Sequence, residues 1–144
     1  MNRFLRILCL AALIALWAGC QSSNRFGHNK AAARDIVIAA SAYTLDATAA
    51  FPTALTNLVP QMLKSVPKCL CEDGKLRDFI YISGFTIADS DKYVIVASPP
   101  EMDAHIAIIA RINGRVEVVA REKANLEVTR SYEHLRKRQQ GEPD

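Results

Sequence analysis

The sequence predicts an α+β fold, in which a long N-terminal helix and a short second helix pack on a small antiparallel sheet of about four strands, followed by a short C-terminal helix. Three observations favour this class. Apolar residues recur at helical spacing before residue 51, β-branched and aromatic runs lie between residues 79 and 121, and Asn113-Gly114 separates the last two runs. The single α+β domain is predicted to cover residues 31–138.

The first helix is predicted over residues 31–51. Its apolar stripe consists of Ile36, Ala39, Ala40, Tyr43, Ala47 and Ala50. Residues three and four apart share one helix face, so this stripe is expected to pack on the sheet, with Ala33 lying before it. Pro52 ends the helix at Phe51, because proline lacks an N–H and restricts the residue before it. The second, shorter pattern is Leu55, Leu58, Val59, Met62 and Leu63.

Residues 64–78 are predicted to form a loop, within which Asp73-Gly74 is a turn signal. Four strands are expected after it. They cover residues 79–82, 93–97, 106–111 and 115–121. Pro99 and Pro100 end the pairing of the second strand, because proline cannot donate a ladder hydrogen bond.

The hairpin turn at Asn113 and Gly114 is the clearest local signal in the chain. A two-residue turn would mix the apolar and polar faces of the two strands. A three-residue loop with Gly114 in the left-handed region keeps them apart, so we predict this register. It pairs Ile106 with Ala120, Ile108 with Val118, and Ala110 with Val116.

The C-terminal helix is expected to begin at Asn125 as N-cap. Its apolar face is Val128, Tyr132 and Leu135. The basic run 136–138 complements the negative end of a helix dipole and is predicted to be a solvated helix end. Residues 139–144 are predicted to be a disordered tail.

Residues 1–19 are predicted to be an export signal peptide. Arg3 and Arg6 precede an uninterrupted apolar run over residues 7–18. That run is short for a transmembrane helix, which needs about 20 apolar residues, and its length is typical of a cleaved signal peptide. An uncleaved anchor is the alternative.

The end of this segment, Leu16-Trp17-Ala18-Gly19-Cys20, resembles the lipobox of bacterial lipoproteins. The resemblance implies that Cys20 carries acyl chains such as palmitate, begins the mature chain and anchors the domain to a lipid bilayer. Gln21 then implies the periplasmic face of the outer membrane rather than the inner membrane. Residues 20–30 are polar and without period, which indicates a flexible tether.

Charge gives no indication of a nucleic-acid partner. Removing residues 1–19 removes Arg3 and Arg6 from the 18 basic residues and leaves 16 against 15 acidic residues. Such a near-neutral chain lacks the basic surface that nucleic acid requires, and an exported protein does not meet that partner.

Cys69 and Cys71 form a lone C-x-C motif. A metal site would need two further ligands, and the three histidines have no zinc-type spacing, so no metal and no cofactor are predicted. In an oxidising compartment the two cysteines fit a local disulfide, two free thiols or an intermolecular disulfide.

The order of predicted helices and strands over residues 31–119 resembles that of the globular head of type II secretion pseudopilins and related prepilin-like proteins. Three segments carry the resemblance: the helix end, aromatic-proline turn and leucine-rich segment of residues 43–60, the strand of residues 79–84, and His105 followed by Asn113-Gly114-Arg115-Val116-Glu117. Where that family has a prepilin peptidase signal, this chain has the lipobox. The resemblance implies a helix-on-sheet head and a role in secretion or pilus-like machinery.

Two functions follow from the sequence. The first is a membrane-tethered, non-enzymatic interaction module of the cell envelope with a protein partner. The alternative is a small ligand-binding or enzymatic periplasmic lipoprotein with a loop-built site near His105, where Glu101 and Asp103 lie close in sequence. No nucleophile motif or phosphate-binding loop is present in the sequence, so no catalytic residue is predicted.

Overall fold

The protein is described from a computed structural model. It describes the backbone of residues 3–46 and 49–141, and the side chains of residues 24–45 and 49–141. The elements are α1 (Arg3–Asp46), β1 (Lys68–Leu70), β2 (Leu76–Asp78), β3 (Ile80–Tyr81), β4 (Val94–Ala97), β5 (Ile106–Arg111), β6 (Val116–Ala120) and α2 (Arg121–Gln140), with short 3-10 helices at Leu55–Leu58 and Pro100–Met102. The predicted α+β class is confirmed.

The four predicted strands form one antiparallel sheet in the order β3-β4-β5-β6. The hairpin register is confirmed, since Ile106 lies opposite Ala120 and Ala110 opposite Val116. Gly114 has φ 81°, in the left-handed region, and its N–H donates to the carbonyl of Arg111 at 2.9 Å. Asn-Gly chemistry and the two-residue period of the strands are local properties, which is why the sequence predicted them.

Helices cover both faces of this sheet. Along β5, Ile108 and Ala110 belong to the same buried cluster as α1, whereas Ala107 and Ile109 pack with Ala124 of α2. Successive side chains of a strand point to opposite faces, so a strand buried on both sides is apolar throughout. The result is a sheet between two helices.

The buried face of α1 is wider than the predicted stripe. It contains Asn29, Ala32, Ala33, Ile36, Val37, Ala39, Ala40 and Thr44. Ala33 is fully buried, so its expected position outside the stripe is wrong. Ala47 lies outside the described residues.

Helix α1 ends at Asp46 rather than at the predicted Phe51. The chain turns at Ala49, whose φ is 62°, and the N–H of Phe51 donates to the carbonyl of Phe85 at 3.0 Å. The carbonyl of Ala49 also accepts from Ile87 at 3.0 Å. Pairing with the distant segment around Phe85 therefore ends the helix several residues before Pro52. The spacing of apolar residues in the sequence does not show this pairing.

The prediction of a flexible tether over residues 20–30 is wrong, because these residues continue α1. Two long-range contacts fix the described part of the segment. Arg25 forms an ion pair with Asp103 at 3.1 Å, and buried Asn29 bonds to the backbone of Leu70. The backbone of Cys20 lies within α1, and its side chain is outside the described residues.

The prediction that residues 64–78 form a loop is also wrong. They contain the β1–β2 hairpin, in which Cys69 lies opposite Arg77. The turn at Asp73 and Gly74 is confirmed: Gly74 has φ 75°, and Asp73 Oδ1 accepts from the N–H of Lys75 at 3.0 Å. The strands are three residues long, too short to show an alternating pattern.

The second helix is a single 3-10 turn, Leu55–Leu58, with both end residues buried. Helix α2 begins at Arg121, directly after β6, so Asn125 is not its N-cap. Tyr132 is 49% exposed, contrary to prediction, and the buried face instead contains Ala124, Ser131, His134 and Leu135. These residues follow helical spacing. Ser131 and His134 are polar, so a search for apolar residues at helical spacing does not find them.

The predicted tail is partly helical. Residues 139 and 140 belong to α2, whose last residue is Gln140. Gly141 caps the helix with φ 71°, and its N–H donates to the carbonyl of Arg138. A left-handed glycine after the last turn is a common helix stop. The remaining predicted tail, residues 142–144, lies outside the described residues.

Candidate functional site

The residues predicted around His105 support the local backbone. Asp103 Oδ1 accepts from the N–H groups of His105 at 2.9 Å and Ile106 at 3.1 Å, and Oδ2 accepts from Arg25. Partial burial raises the pKa of Asp103, but these donors and the Arg25 charge outweigh it and hold the pKa below its usual value. No hydrogen bond joins the exposed His105 ring to Asp103 within the described residues. Glu101 instead faces Arg77 at 3.6 Å.

Arg121, the first residue of α2, holds the loop that carries these residues. Its guanidinium donates to the carbonyl oxygens of Ser98, Pro99, Pro100, Asp103 and Ile106. A planar guanidinium offers five donors in a fixed geometry, which suits a loop with several inward carbonyls. Nothing in the sequence pattern indicated this role of Arg121, which fixes the shape of the region near His105.

Cys69 and Cys71 are both buried, and both thiols are free. The Sγ of Cys71 lies 3.8 Å from the carbonyl oxygen of Cys69. Burial raises the pKa of the Cys69 thiol to about 12, so this thiol is protonated at neutral pH. The structure contains no local disulfide between Cys69 and Cys71.

A cavity of about 250 Å³ lies at the other end of α2, and we call it the α2 pocket. Its lining residues are Lys92, Tyr93, Arg130, Glu133, His134 and Lys137. Three of these side chains are cationic and one is a carboxylate, which gives the lining a formal charge of +2 with neutral histidine. The α2 pocket is therefore an electropositive cavity.

The floor of the α2 pocket is an aromatic stack. The ring centroids of Tyr93 and His134 lie 4.2 Å apart, and those of Tyr93 and Phe85 5.7 Å apart. The amine of Lys92 lies 5.0 Å from the centre of the Tyr93 ring, a cation–π geometry. Stacking restricts the movement of the Tyr93 and His134 rings, so the floor of the pocket has a defined shape.

Asp89 fixes the histidine in this stack. Its Oδ1 lies 2.9 Å from His134 Nε2, and its two carboxylate oxygens accept from Arg138 at 2.8 and 2.7 Å. Oδ2 also accepts from the N–H and hydroxyl of Thr86 at 2.6 and 2.9 Å. Burial raises the pKa of Asp89, but these donors outweigh burial and lower it to about 2. The carboxylate is therefore ionised at neutral pH.

The spacing of the pocket residues on α2 is visible in the sequence, although it was not used to predict a site. Arg130, Glu133, His134 and Lys137 follow a spacing of three, four and seven residues, which places them on one face of α2. The basic run 136–138 was predicted to be solvated, yet Arg138 binds Asp89 and the carbonyl of Gly84. Lys92 and Tyr93 come from a distant loop, and only the fold brings them to this face.

A scan against protein-family models, a search of curated proteins and a search of solved structures each found no match. Within the part of the chain that the structure describes, no three His, Cys, Asp or Glu residues are grouped in a way that could hold a metal ion. Among the same residues, no helix combines the length and the apolar character needed to cross a membrane. A function must therefore be inferred from the chain's own residues.

Proposed function

We propose that this protein is a lipid-anchored, non-enzymatic interaction module of the bacterial cell envelope. The lipobox-like sequence that ends at Cys20 supports the anchor. The observation that carries the proposal is the continuity of α1, which includes Cys20 in the same helix that forms the core of the domain. Acyl chains on Cys20 would thus be attached directly to the folded domain.

The short distance between the anchor and the domain determines which side of the domain would face the membrane. Arg25 lies five positions after Cys20, which is about 8 Å along a helix. Arg25 is already paired with Asp103, and Asn29, one turn later, with Leu70. The loop of Asp103 and the β1–β2 hairpin then lie on the membrane side of the domain.

The opposite end of the domain points away from the bilayer. Arg121 contacts the carbonyl of Ser98, just after β4, whereas His134 stacks on Tyr93, just before β4. Helix α2 therefore runs along β4 and carries its C-terminal half away from the anchored end. A module held this way presents its far end to an envelope protein.

The partner that we propose belongs to type II secretion or pilus-like machinery. The resemblance of the sequence to pseudopilin heads supports this choice, as does the packing of α1 on a four-stranded antiparallel sheet. Helix α2 covers the second face of the sheet, so the partner meets helices and loops rather than an open sheet. Ile38 and Leu45, two turns apart on α1, are 59% and 85% exposed and offer apolar contact area.

Lipidation can be tested by labelling and fractionation in a bacterial host. We expect the wild-type chain to incorporate a palmitate analogue and to fractionate with membranes. Cys20→Ala should abolish the labelling and either release the protein into the soluble fraction or stall its processing, whereas Cys9→Ala, which changes a cysteine inside the predicted signal peptide, should behave like wild type. An unmodified residue 20 in the mass spectrum of the wild-type protein would refute the anchor.

A further inference from the structure

We propose that the α2 pocket binds a small ligand that carries phosphate groups. The pocket combines an electropositive lining with an ordered aromatic floor. The inference does not depend on lipidation, because every residue that carries it belongs to the folded domain.

The cations of the pocket are not neutralised by ion pairs. None of its three cationic side chains has an ion-pair partner among the described residues. Two other cations on α2 do have partners: Lys123 lies 3.8 Å from Glu127, and Arg138 lies 2.7 Å from Asp89. These three exposed cations line one cavity, so an anion bound there would meet three positive charges.

The carboxylate nearest the floor does not cancel this charge. The Asp89 side chain is 6% exposed, and its oxygens are occupied by Arg138, His134 and Thr86. The Asp89 charge is therefore balanced by these hydrogen-bond donors, and Asp89 is not one of the residues that line the pocket. Glu133 is the one carboxylate that lines the pocket itself. A ligand with two negative charges would balance the formal +2 of the lining.

The chemistry and size of the pocket indicate a phosphate ester. Arg130 can offer a planar pair of donors to two oxygens, while Lys92 and Lys137 act as point charges that bind phosphate from several directions. A volume of about 250 Å³ is below that of most drug-sized sites and suits a small anion or one head group. A phosphate monoester or a lipid phosphate supplies the same chemistry.

Binding can be measured by titration calorimetry with the full chain in non-ionic detergent, using inorganic pyrophosphate as the probe. Vesicles of phosphatidylcholine with and without phosphatidic acid form the second arm, read by co-sedimentation. We expect saturable binding that Arg130→Gln weakens at least about tenfold, since a hydrogen bond to a charged group contributes about 1.5–3 kcal/mol. The matched control is Arg136→Gln, which removes the same charge from an exposed position on α2 outside the pocket.

The outcomes separate the two sources of phosphate. Binding of pyrophosphate alone supports a soluble phosphate ester. Binding of phosphatidic acid vesicles alone supports a lipid head group and would contradict the proposed orientation, in which this half of α2 lies away from the bilayer. In either case the loss must be confined to Arg130→Gln. Equal weakening by Arg136→Gln, or the absence of saturable binding to both probes, would overturn the proposal.

Discussion

Asn29 of α1 and Leu70 of β1 are joined by two reciprocal hydrogen bonds. The Asn29 amide donates to the Leu70 carbonyl at 2.8 Å, and its oxygen accepts from the Leu70 N–H at 2.7 Å. Asn29 is fully buried, and its side chain completes the backbone bonding of a strand that pairs on its other edge with β2. This contact attaches the β1–β2 hairpin to α1.

Asn29→Ala should destabilise the protein strongly. It removes both hydrogen bonds and leaves a partly buried N–H and C=O without partners, which costs about 2–4 kcal/mol in the free energy of unfolding. Urea denaturation of the full chain measures the loss. Asn24→Ala changes an exposed asparagine on the same helix and should stay within about 0.5 kcal/mol of wild type. Equal stability of the two variants would show that the contact between Asn29 and Leu70 contributes nothing.

The hairpin provides a second prediction. Gly114→Val should cost more than about 1 kcal/mol, because a β-branched residue resists the positive φ that this turn requires. A valine Cβ there would also lie about 4.0 Å from Val37 Cγ1. Thermal unfolding is the measurement, and Gly27→Ala is the control.

Gly27 lies in α1, and a Cβ added there would have no atom within 4 Å, so alanine should be neutral or stabilising by about 0.5–1 kcal/mol. An unchanged melting temperature for Gly114→Val would mean that the left-handed turn is not needed in solution.

The parts of the fold that the sequence predicted are those with local causes. The register between Ile106 and Ala120 follows from strand alternation and one turn glycine, both visible within about fifteen residues of sequence. The end of α1 and the β1–β2 hairpin have distant causes instead. The end of α1 depends on pairing with Phe85, and Leu70 depends on Asn29, 41 positions earlier.

Asp89 predicts a pH dependence of stability. Its pKa is about 2 in the folded protein against an ordinary 3.8, so the folded state binds this proton less readily than the unfolded state. The resulting stabilisation, about 2 kcal/mol, is complete above about pH 4 and is lost as the pH falls towards about 2.

Asp89→Asn should therefore lower stability at about pH 7 and flatten its dependence between about pH 4 and about pH 2. Denaturation midpoints across this range measure both effects. Asp91→Asn, at an exposed position two residues away, should keep the wild-type profile. A steep acid dependence that survives in Asp89→Asn would assign the effect to other groups.

The candidate site was harder to predict than the fold. His105 was prominent because it precedes a strand, yet it is exposed, whereas buried His134 lies on a charged helix and has no flanking motif. Its importance depends on Asp89 and Tyr93, both distant from it along the chain. Periodicity identifies which residues share a helix face, but it does not identify what the fold places opposite them.

The packing of α1 on the sheet gives the last prediction. Ala40 is fully buried in the cluster that contains residues of α1, β4 and β5, so its side chain has no room towards solvent. Ala40→Leu adds volume that the interface cannot accept without shifting rotamers or backbone, at a cost of ~1–3 kcal/mol. Ala33→Leu should behave in the same way, because Ala33 is equally buried.

Ala31→Leu is the matched control, since Ala31 lies on the exposed side of the same helix and leucine is also a good helix former. Its melting temperature should stay close to that of wild type, while the two buried variants melt several degrees lower. If α1 were instead an amphipathic arm free of the sheet, all three leucines would leave the domain's stability unchanged. Thermal unfolding of the full chain in detergent distinguishes these architectures, and equal melting points for Ala40→Leu and Ala31→Leu would exclude the packed helix.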